Sequence, residues 1–193
     1  MHLALFDFDG TISTRDTTWD FILRACGRRR VLSGLVRLSP VILAYTLKRI
    51  SHHEAKGAII RHYFGDWDRE AFIREATHYA RNVVPTIIRP EALNRIGWHL
   101  HQGHTVAVVT GSLEILLSDW CTCLGIDLIA TGLDLEGTSI GLSTRNCFRE
   151  EKARRVREKY DLESFQSVYA YGDSDGDREM MSLAHRQFYR RFG

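Results

Sequence analysis

The chain has 193 residues, 44% of them hydrophobic and 10% aromatic, which is enough for one sizeable core and excludes a disordered or fibrous protein. Its formal charge of +2 at pH 7 is too small to indicate nucleic-acid binding from bulk electrostatics. The cysteines match neither a zinc-ribbon nor a disulfide pattern, and the N-terminus does not have the pattern of a signal peptide. We therefore expect a reduced, cytoplasmic setting and buried structural thiols at Cys26, Cys121, Cys123 and Cys147.

The first predicted element is a short central strand over residues 3–8. The run is apolar and is followed by a turn signal at Gly10. It delivers two carboxylates, Asp7 and Asp9, at its carboxyl end. Side chains two residues apart on a strand point the same way, so both carboxylates can converge on one ligand.

Helical periodicity then replaces strand signals as far as Pro85. The pattern predicts helices, the last of them capped by Asp68, over residues 17–26, 31–49, 52–64 and 68–80. We interpret this block as an insertion after the first strand and predict a helical domain over residues 16–85.

After Pro90, strands and helices alternate, which is typical of a parallel sheet with helices on both faces. The predicted strands cover residues 104–110, 127–131, 167–171 and 186–190. The predicted helices cover residues 91–102, 113–124, 149–160 and 177–184, and a hairpin is expected around Glu136 and Gly137. The sequence thus predicts an α/β core, a doubly wound parallel sheet, formed by residues 1–15 and 86–193.

Polar residues follow three of the predicted strands, where ligands bind in open α/β sheets. They are Asp7, Asp9, Gly10 and Thr11 after the first strand, Thr110, Gly111 and Ser112 after the second, and Asp173, Asp175 and Asp177 after the third. Lys152 adds a cation from a helix that precedes the third of these strands. This inventory suits phosphoryl transfer, in which positioning and charge neutralisation supply most of the catalysis.

Carboxylates alone would repel a phosphate dianion, so a hard cation such as Mg²⁺ is needed beside them. Lys152 and the backbone amides around Gly111 can hold the remaining phosphate oxygens, and Gly10, Thr11 and Ser112 are further candidates for phosphate binding. A carboxylate can attack phosphorus and form an aspartyl phosphate, while a second one protonates the leaving oxygen and later activates water. The first strand would therefore carry a nucleophile and an acid/base.

Four motifs, in this order and spacing, resemble those of the haloacid dehalogenase-like hydrolase superfamily, specifically its subfamily IB near the phosphoserine phosphatases. They are Phe6–Thr11, Val108–Ser112, Glu150–Lys152 and Tyr171–Asp177, so the resemblance covers essentially the whole chain. It implies that Asp7 is the nucleophile, that Asp9 is the acid/base, and that Thr110 and Lys152 contact phosphate.

The resemblance also implies that Mg²⁺ is held by Asp7, by the backbone carbonyl of Asp9 and by Asp173, with Asp177 in the first or second shell of the metal. The helical insertion resembles the family's cap domain, which closes over the site and selects the substrate. Phosphoserine phosphatases carry a glutamate after the first motif and a cap arginine. The comparable stretch here is Ser13–Thr17, which does not favour phosphoserine as the substrate.

The insertion has an uneven charge distribution. It contains no acidic residue between Asp20 and Glu54, whereas an apolar stretch over residues 31–47 lies among arginines and lysines. A membrane-spanning helix is disfavoured, because Arg37 would sit inside the span at about 2.5 to 3.5 kcal/mol and Pro40 would interrupt it. Two interpretations remain: packed cap helices with solvated basic ends, or an element that makes peripheral contact with an anionic membrane and draws in an apolar phosphate monoester.

The remaining polar clusters are interpreted as structural. The histidines are expected at the surface, namely His52, His53, His99, His101 and His104. The basic and aromatic carboxyl end, residues 185–193, is explained by a terminal strand, so no nucleic acid is expected as a partner.

The sequence therefore predicts a Mg²⁺-dependent phosphatase that hydrolyses a small phosphate monoester through an aspartyl-phosphate intermediate. The alternatives are a phosphotransferase that uses the same intermediate, a lipid-phosphate phosphatase acting at a membrane surface, and a non-catalytic binding protein. The oligomeric state and the physiological substrate are not indicated by the sequence.

Overall fold

Seven strands form two sheets in the computed structural model, which describes residues 1–192. They are β1 (His2–Phe6), β2 (Thr105–Leu113), β3 (Asp127–Thr131), β4 (Leu133–Asp134), β5 (Gly141–Leu142), β6 (Ser167–Gly172) and β7 (Arg186–Tyr189). Five of them form a parallel sheet in the order β3-β2-β1-β6-β7, and β4 and β5 form an antiparallel hairpin. The parallel sheet and the hairpin are confirmed, and so is the central strand, although it ends at Phe6 and not at residue 8 because the backbone turns over Phe8–Ile12.

Eight α-helices lie within the described residues. They are α1 (Thr17–Arg37), α2 (Ser39–Thr46), α3 (His52–Phe64), α4 (Arg69–Asn82), α5 (Pro90–His101), α6 (Glu114–Leu124), α7 (Glu150–Lys159) and α8 (Arg178–Met181). Helices α1 to α4 form the insertion between β1 and α5. No helix in residues 1–192 combines the length and the apolar character that a bilayer crossing requires.

Side-chain caps explain where three helices of the insertion begin. Asp16 accepts a hydrogen bond from the Trp19 amide at 2.9 Å, and Asp68 accepts one from the Ala71 amide at 2.8 Å. At α3, the cap is reciprocal: the Ser51 hydroxyl and the Glu54 carboxylate each bind the backbone amide of the other residue. The predicted bounds of α3 and the cap of α4 are therefore confirmed.

Two predicted helices are wrong in extent. The helix predicted over residues 31–49 is broken at Leu38, because Pro40 cannot lie in a helix interior but fits the first turn of a new helix, α2. Helix α1 reaches Arg37 only by changing direction at Gly27, whose φ is 77°. The helix predicted over residues 177–184 shrinks to α8. Residue 177 closes a 3₁₀ turn capped by Ser174, and after Met181 the amides of Leu183 and Ala184 bind carbonyls only three residues back, so the α-helix does not continue.

The sheet is covered on both faces, which confirms the doubly wound fold. Leu3 and Leu5 point to one face, where they join apolar residues of α7 and α8. Ala4 and Phe6 point to the other face, where the cluster includes α5, α6 and the aromatic side chains of the insertion. The insertion therefore shares a hydrophobic core with one face of the sheet.

Helix α4 packs on the core helix α6, and Arg81 pairs with Asp119 across the contact at 2.6 Å. Phe21 of α1 stacks on Phe64 of α3 at 5.3 Å between ring centroids and meets Phe72 of α4 edge to face. These contacts bind the insertion to the core along one side. The domain boundary expected at residues 85 and 86 stays a prediction.

The expectation that all five histidines lie at the surface is wrong for His99, which is fully buried under the sheet. Its Nε2 lies 2.9 Å from the Tyr171 hydroxyl and its Nδ1 lies 2.8 Å from Nδ1 of His104. Burial, together with the nearby cation of Arg95, lowers the pKa of His99 to about 3. This histidine is a neutral core residue.

The prediction that all four cysteines are buried is also wrong in part. Cys121 and Cys147 are buried, and burial raises the pKa of the Cys147 thiol to about 11. Cys26 is partly buried, whereas Cys123 is exposed near the end of α6. The difference follows from helix geometry, because residues two apart on a helix point to different faces.

Candidate active site

The centre of the site is Asp7, the residue that follows the central strand β1. Its backbone amide donates to the Tyr171 carbonyl of β6 at 2.9 Å, which extends the strand ladder by one residue and fixes the start of the loop. The side chain is buried, and Lys152 Nζ donates to its Oδ1 at 2.5 Å. Because β1 lies between β2 and β6, the ends of three strands meet around this carboxylate.

Lys152, in the first turn of α7, links two buried carboxylates. Its Nζ also donates to Asp177 Oδ1 at 2.6 Å, and all three side chains are almost completely excluded from solvent. Burial disfavours the charge on Lys152, but the carboxylates of Asp7 and Asp177 outweigh that effect and raise its pKa. Burial raises the pKa of Asp7 to about 7, although the cation of Lys152 acts to lower it. The site thus holds a fixed cation beside a carboxylate.

An acidic group lies next to this pair. Carboxylate oxygens of Asp7, Asp173 and Asp177 all lie within 4.8 Å of one another. Asp177 is the most constrained, because its Oδ2 accepts from the Ser174 amide at 3.0 Å and from the Ser174 hydroxyl at 2.9 Å. Thr11 Oγ1 donates to Asp173 Oδ1 at 3.1 Å, which brings the first and fourth motifs together.

A glycine is required where the first motif approaches this acidic group. Gly10 has a φ of 80°, and a Cβ atom at that position would lie 2.5 Å from a carboxylate oxygen of Asp173. Asp175, in contrast, points away from the group, and its side chain is 78% exposed.

Asp9 occupies a different environment from Asp7. Its Oδ1 accepts from the Thr17 amide at 2.9 Å and from the Thr17 hydroxyl at 2.8 Å, and its Oδ2 accepts from the Ser112 hydroxyl. Burial raises the pKa of Asp9, and the charge of Asp16 adds to the increase, whereas the hydrogen bonds from Ser112 and Thr17 oppose it. A carboxyl group that retains its proton above the usual range is suited to act as a general acid.

The second motif, at the end of β2, turns its polar groups toward Asp9. The Thr110 hydroxyl accepts from the Ser112 amide at 3.0 Å and keeps its own proton for another acceptor. The Ser112 hydroxyl is already engaged with Asp9, and it lies 2.6 Å from the Thr17 hydroxyl. The structure therefore brings Thr110 and Ser112 to the site but engages Ser112 with the second carboxyl group.

The sequence analysis did not single out Lys56, which reaches the site from the insertion. Its Nζ donates to the Gly111 carbonyl at 2.5 Å and to the Thr18 hydroxyl at 3.4 Å. Burial lowers the pKa of Lys56, and the carboxylates of Asp9 and Asp16 oppose that effect. Helical periodicity located α3, but no local pattern indicated which of its side chains turns inward.

Residues just before the third motif contact α3, the helix of the insertion that carries Lys56. His52 stacks on Phe148 with 4.2 Å between ring centroids, and its Nδ1 lies 2.6 Å from the Asn146 side-chain amide. Arg149, the residue after Phe148, has a φ of 52°, a conformation that favours glycine. Arg149 precedes α7, so this unfavourable conformation lies at the start of the helix that carries Lys152.

Two cavities adjoin the site on different sides. One, of about 630 Å³, is lined by Gly10, Thr11 and Asp173 together with Arg89 and Arg190. The other, of about 340 Å³, lies within the insertion between α1, α2 and α3, and Lys56 forms part of its wall.

This fold and site define a Rossmann-like α/β protein that gathers aspartates and a buried lysine at the carboxyl ends of its parallel strands. The sequence model of the haloacid dehalogenase-like hydrolases matches residues 4–182. The chain therefore belongs to the haloacid dehalogenase-like hydrolase family, which confirms the resemblance found in the four motifs.

Individual relatives agree with this assignment. Protein CicA of Caulobacter vibrioides is 32% identical over 195 residues, which cover 98% of this chain and 86% of CicA. A protein of unknown function from Bordetella pertussis Tohama I superposes with a TM-score of 0.80 at 22% identity, covering 97% of this chain and 89% of that chain. A phospho-aspartyl intermediate analogue of phosphoserine phosphatase superposes with a TM-score of 0.67 at 18% identity, covering 97% and 85%. These two structures show the shared fold.

Proposed function

We propose that the protein is a Mg²⁺-dependent phosphatase that hydrolyses a small phosphate monoester through a phosphorylated Asp7. The observation that carries the proposal is the buried arrangement of Asp7 and Lys152, 2.5 Å apart, with Asp9, whose pKa burial raises, two residues further along the chain. The nucleophile and the acid come from the first motif and the cation comes from the third, and the three groups meet at one edge of the sheet.

The proposed reaction has two steps. In the first, an oxygen of Asp7 forms a bond to phosphorus while the bond from phosphorus to the ester oxygen breaks, and Asp9 transfers its proton to the departing oxygen. In the second, Asp9 takes a proton from water, whose oxygen bonds to phosphorus as the bond to Asp7 breaks. The products are an alcohol and inorganic phosphate, and both aspartates return to their starting states.

The residues around Asp7 fit a bound Mg²⁺. Carboxylates are the hard oxygen ligands that this ion prefers, and Asp7 and Asp173 would hold it. We assign Asp177 mainly to positioning Lys152, because both of its oxygens accept hydrogen bonds from protein groups. When bound, the ion supplies positive charge that offsets repulsion between the carboxylates and the phosphate dianion.

Lys152 and Thr110 would hold the transferred phosphoryl group. Lys152 carries a permanent positive charge beside Asp7, and the Thr110 hydroxyl has a proton free to donate. Gly10, Thr11 and Gly111 supply backbone close to the same point. The nucleophile is thereby held next to groups that neutralise the charge of the phosphoryl oxygens.

The insertion, residues 16–85, would act as the cap, with the cavity of about 340 Å³ as the space for the leaving group. Its wall combines polar groups of Asp16 and Lys56 with the apolar side chains of Trp19, Ile42 and Tyr45. This lining favours an ester whose alcohol has an apolar part and supports the lipid-phosphate alternative. The cytoplasmic setting stays a prediction.

The first experiment is phosphate release from a panel of amino-acid, nucleotide, sugar and lysolipid phosphates, with Mg²⁺ and with a chelator. We expect chelator-sensitive release from one class of ester, and no release by the Asp7→Asn variant, which removes the nucleophile but keeps its shape. Unchanged turnover in Asp7→Asn would contradict the assignment. Transfer of phosphate to added alcohols without net release would identify a phosphotransferase instead.

A further inference from the structure

The outer part of the insertion exposes a continuous apolar surface. We define residues 28–49, the second part of α1 together with α2 and the turn after it, as the basic corner. Helix α2 contains no buried residue although most of its side chains are apolar. Four aliphatic side chains of the basic corner are more than half exposed: Leu32 (65%), Val36 (74%), Leu43 (59%) and Leu47 (55%). Scattered exposed leucines are common, but such a cluster marks an interaction surface.

The spacing of these side chains gives the surface a shape. Leu32 and Val36 are four residues apart on α1, and Leu43 and Leu47 are four apart along α2 and its end, so each pair forms a ridge. The two helices are joined only by Leu38, which is buried and anchors the junction. The ridges therefore lie on either side of one fixed bend.

The basic corner also carries positive charge that the protein does not neutralise. Its basic side chains are all exposed, namely Arg28, Arg29, Arg30, Arg37, Lys48 and Arg49. None of them takes part in an ion pair among residues 1–192, and the nearest acidic residues in sequence are Asp20 and Glu54. Elsewhere in the insertion some basic side chains do pair with carboxylates, since Arg24 pairs with Asp20 and Arg81 with Asp119.

We propose that the basic corner docks on the surface of an anionic phospholipid bilayer. The aliphatic ridges would enter the boundary between headgroups and acyl chains, and the arginines and lysines would face lipid phosphates. Charge complementarity selects this occupant, because six cations surround the ridges without a single carboxylate in residues 21–53. The proposed contact with the bilayer is peripheral. No helix of residues 1–192 is suited to cross a membrane.

The basic corner is continuous with the cavity beside Lys56. Val41, Ile42 and Tyr45 of α2 line that cavity, while Leu43 lies between them in sequence and is exposed. A docked protein would therefore receive an amphiphilic phosphate monoester from the bilayer directly into the cavity. This extension rests on the proposed function, whereas docking itself does not.

Docking is tested by co-sedimentation of the full chain with vesicles of phosphatidylcholine alone and of phosphatidylcholine with phosphatidylglycerol. We expect binding only to the anionic vesicles, with affinity that falls as salt rises. Each arginine near an anionic leaflet contributes about fivefold to the partition coefficient. The triple variant Arg28→Gln, Arg29→Gln, Arg37→Gln should therefore bind roughly a hundredfold more weakly.

The matched control removes the same charge from other exposed positions, with Arg69→Gln, Arg74→Gln and Arg157→Gln in one chain. It should bind the anionic vesicles nearly as well as the unaltered protein. Equal loss in both triple variants would overturn the proposal, because binding would then follow net charge alone. Equal binding to neutral vesicles, or no binding to either kind, would also overturn it.

A double variant tests the aliphatic ridge along α2 and its end. The double variant Leu43→Ser, Leu47→Ser should weaken vesicle binding. Its elution in gel filtration, which reports the oligomeric state, should match that of the unaltered protein. A change in oligomeric state caused by this double variant would assign the surface to a second copy of the chain and overturn the proposal.

The substrate arm uses dioleoyl phosphatidic acid in the anionic vesicles and glycerol 3-phosphate in solution. We expect the basic-corner variants to slow phosphate release from the vesicle substrate and to leave any turnover of the soluble ester unchanged. Docking without release from the vesicle substrate would contradict the substrate extension, but neither the docking nor the proposed function, which the wider panel of esters tests. Equal rates of phosphate release from the vesicle substrate by the unaltered protein and the triple variant of the basic corner would contradict the substrate extension.

Discussion

The strand ends around Asp7 and the basic corner carry their charges in opposite ways. At the strand ends, charged side chains are buried and paired, as Lys152 is with both Asp7 and Asp177 at 2.6 Å or less. In the basic corner, the charged side chains are exposed and have no ionic partner among the described residues. The first arrangement fixes positions for chemistry, and the second leaves charge available to something outside the chain.

The comparison predicts how the two regions respond to substitution. Removing one member of a buried ion pair leaves an uncompensated charge and affects both folding and activity. Removing an exposed charge has little effect on the folded protein itself. Substitutions at the strand ends should therefore change the stability and the activity of the protein. Substitutions in the basic corner should instead change its binding to the membrane.

The largest effect is expected for Lys152→Met. The variant leaves Asp7 and Asp177 buried without their cation, so the free energy of unfolding should fall by about 3 to 5 kcal/mol. Phosphate release should be lost as well. Urea denaturation in the presence of a chelator measures the first effect without a contribution from bound metal.

Lys159→Met, at the exposed end of the same helix, is the control for Lys152→Met. Its ammonium group pairs with the partly exposed Asp127 at 2.8 Å, so the loss should stay below about 1 kcal/mol. Similar losses in both variants would mean that burial does not distinguish the two lysines, and the contrast between the regions would fail.

Asp9→Asn should lower turnover by about 10²- to 10⁴-fold while the fold is retained. The asparagine cannot protonate the leaving oxygen, so an ester with a strongly acidic alcohol should be affected less than one with an ordinary alcohol. Burst and steady-state kinetics with both esters separate phosphorylation of Asp7 from hydrolysis. An equal reduction in phosphorylation for the two esters would exclude Asp9 as the general acid.

His99 predicts a smaller effect, on the pH dependence of stability. Burial holds its pKa near 3 in the folded protein, well below the value of an exposed histidine. The unfolded chain binds the proton more readily, so the contribution is fully present above pH of about 6.5 and is lost as the pH falls toward 3.

The expected loss is about 1 kcal/mol per pH unit between pH 6 and pH 4, measured by chemical denaturation. His99→Asn, which has no group that titrates in this interval, should flatten the profile after its own destabilisation is subtracted. An unchanged slope would show that other groups dominate the acid response, and His104, which shares a contact with His99, would be examined next.

The smallest effect is expected for Arg149→Gly. Glycine adopts positive φ without steric cost, so relief of the unfavourable backbone should raise the free energy of unfolding by about 1 kcal/mol. The same substitution at Arg157, in the last turn of α7, should lower it by up to about 1 kcal/mol. A decrease for both variants would show that contacts of the Arg149 side chain outweigh the backbone conformation.

Much of the site follows from the sequence because its residues belong to short motifs after strands. Hydrophobic runs located β1, β2 and β6, and parallel strands bring their carboxyl ends to one edge, so Asp7, Thr110 and Asp173 had to converge. Helical periodicity likewise located α3, whose start the structure shows to be fixed by a capping box with local hydrogen bonds.

The features that the sequence did not indicate depend on contacts between distant segments. Lys56 turns inward to bind the Gly111 carbonyl after β2, and His99 of α5 is buried against Tyr171 of β6. The break at Leu38 had a local signal in Pro40, which the apolar periodicity on both sides obscured. Propensity describes a segment alone, whereas these side chains respond to their neighbours in space.

Gly27 separates two parts of α1 that are subject to different constraints. Before it, Thr17 hydrogen-bonds Asp9, and after it, residues 28–37 form half of the basic corner. The change of direction at this glycine means that residues beyond it can diverge without disturbing the hydrogen bonds of the catalytic acid. Residues 28–49 can therefore be exchanged as one segment. A chimera that carries this segment from a relative would acquire the relative's docking surface while keeping its own catalytic residues.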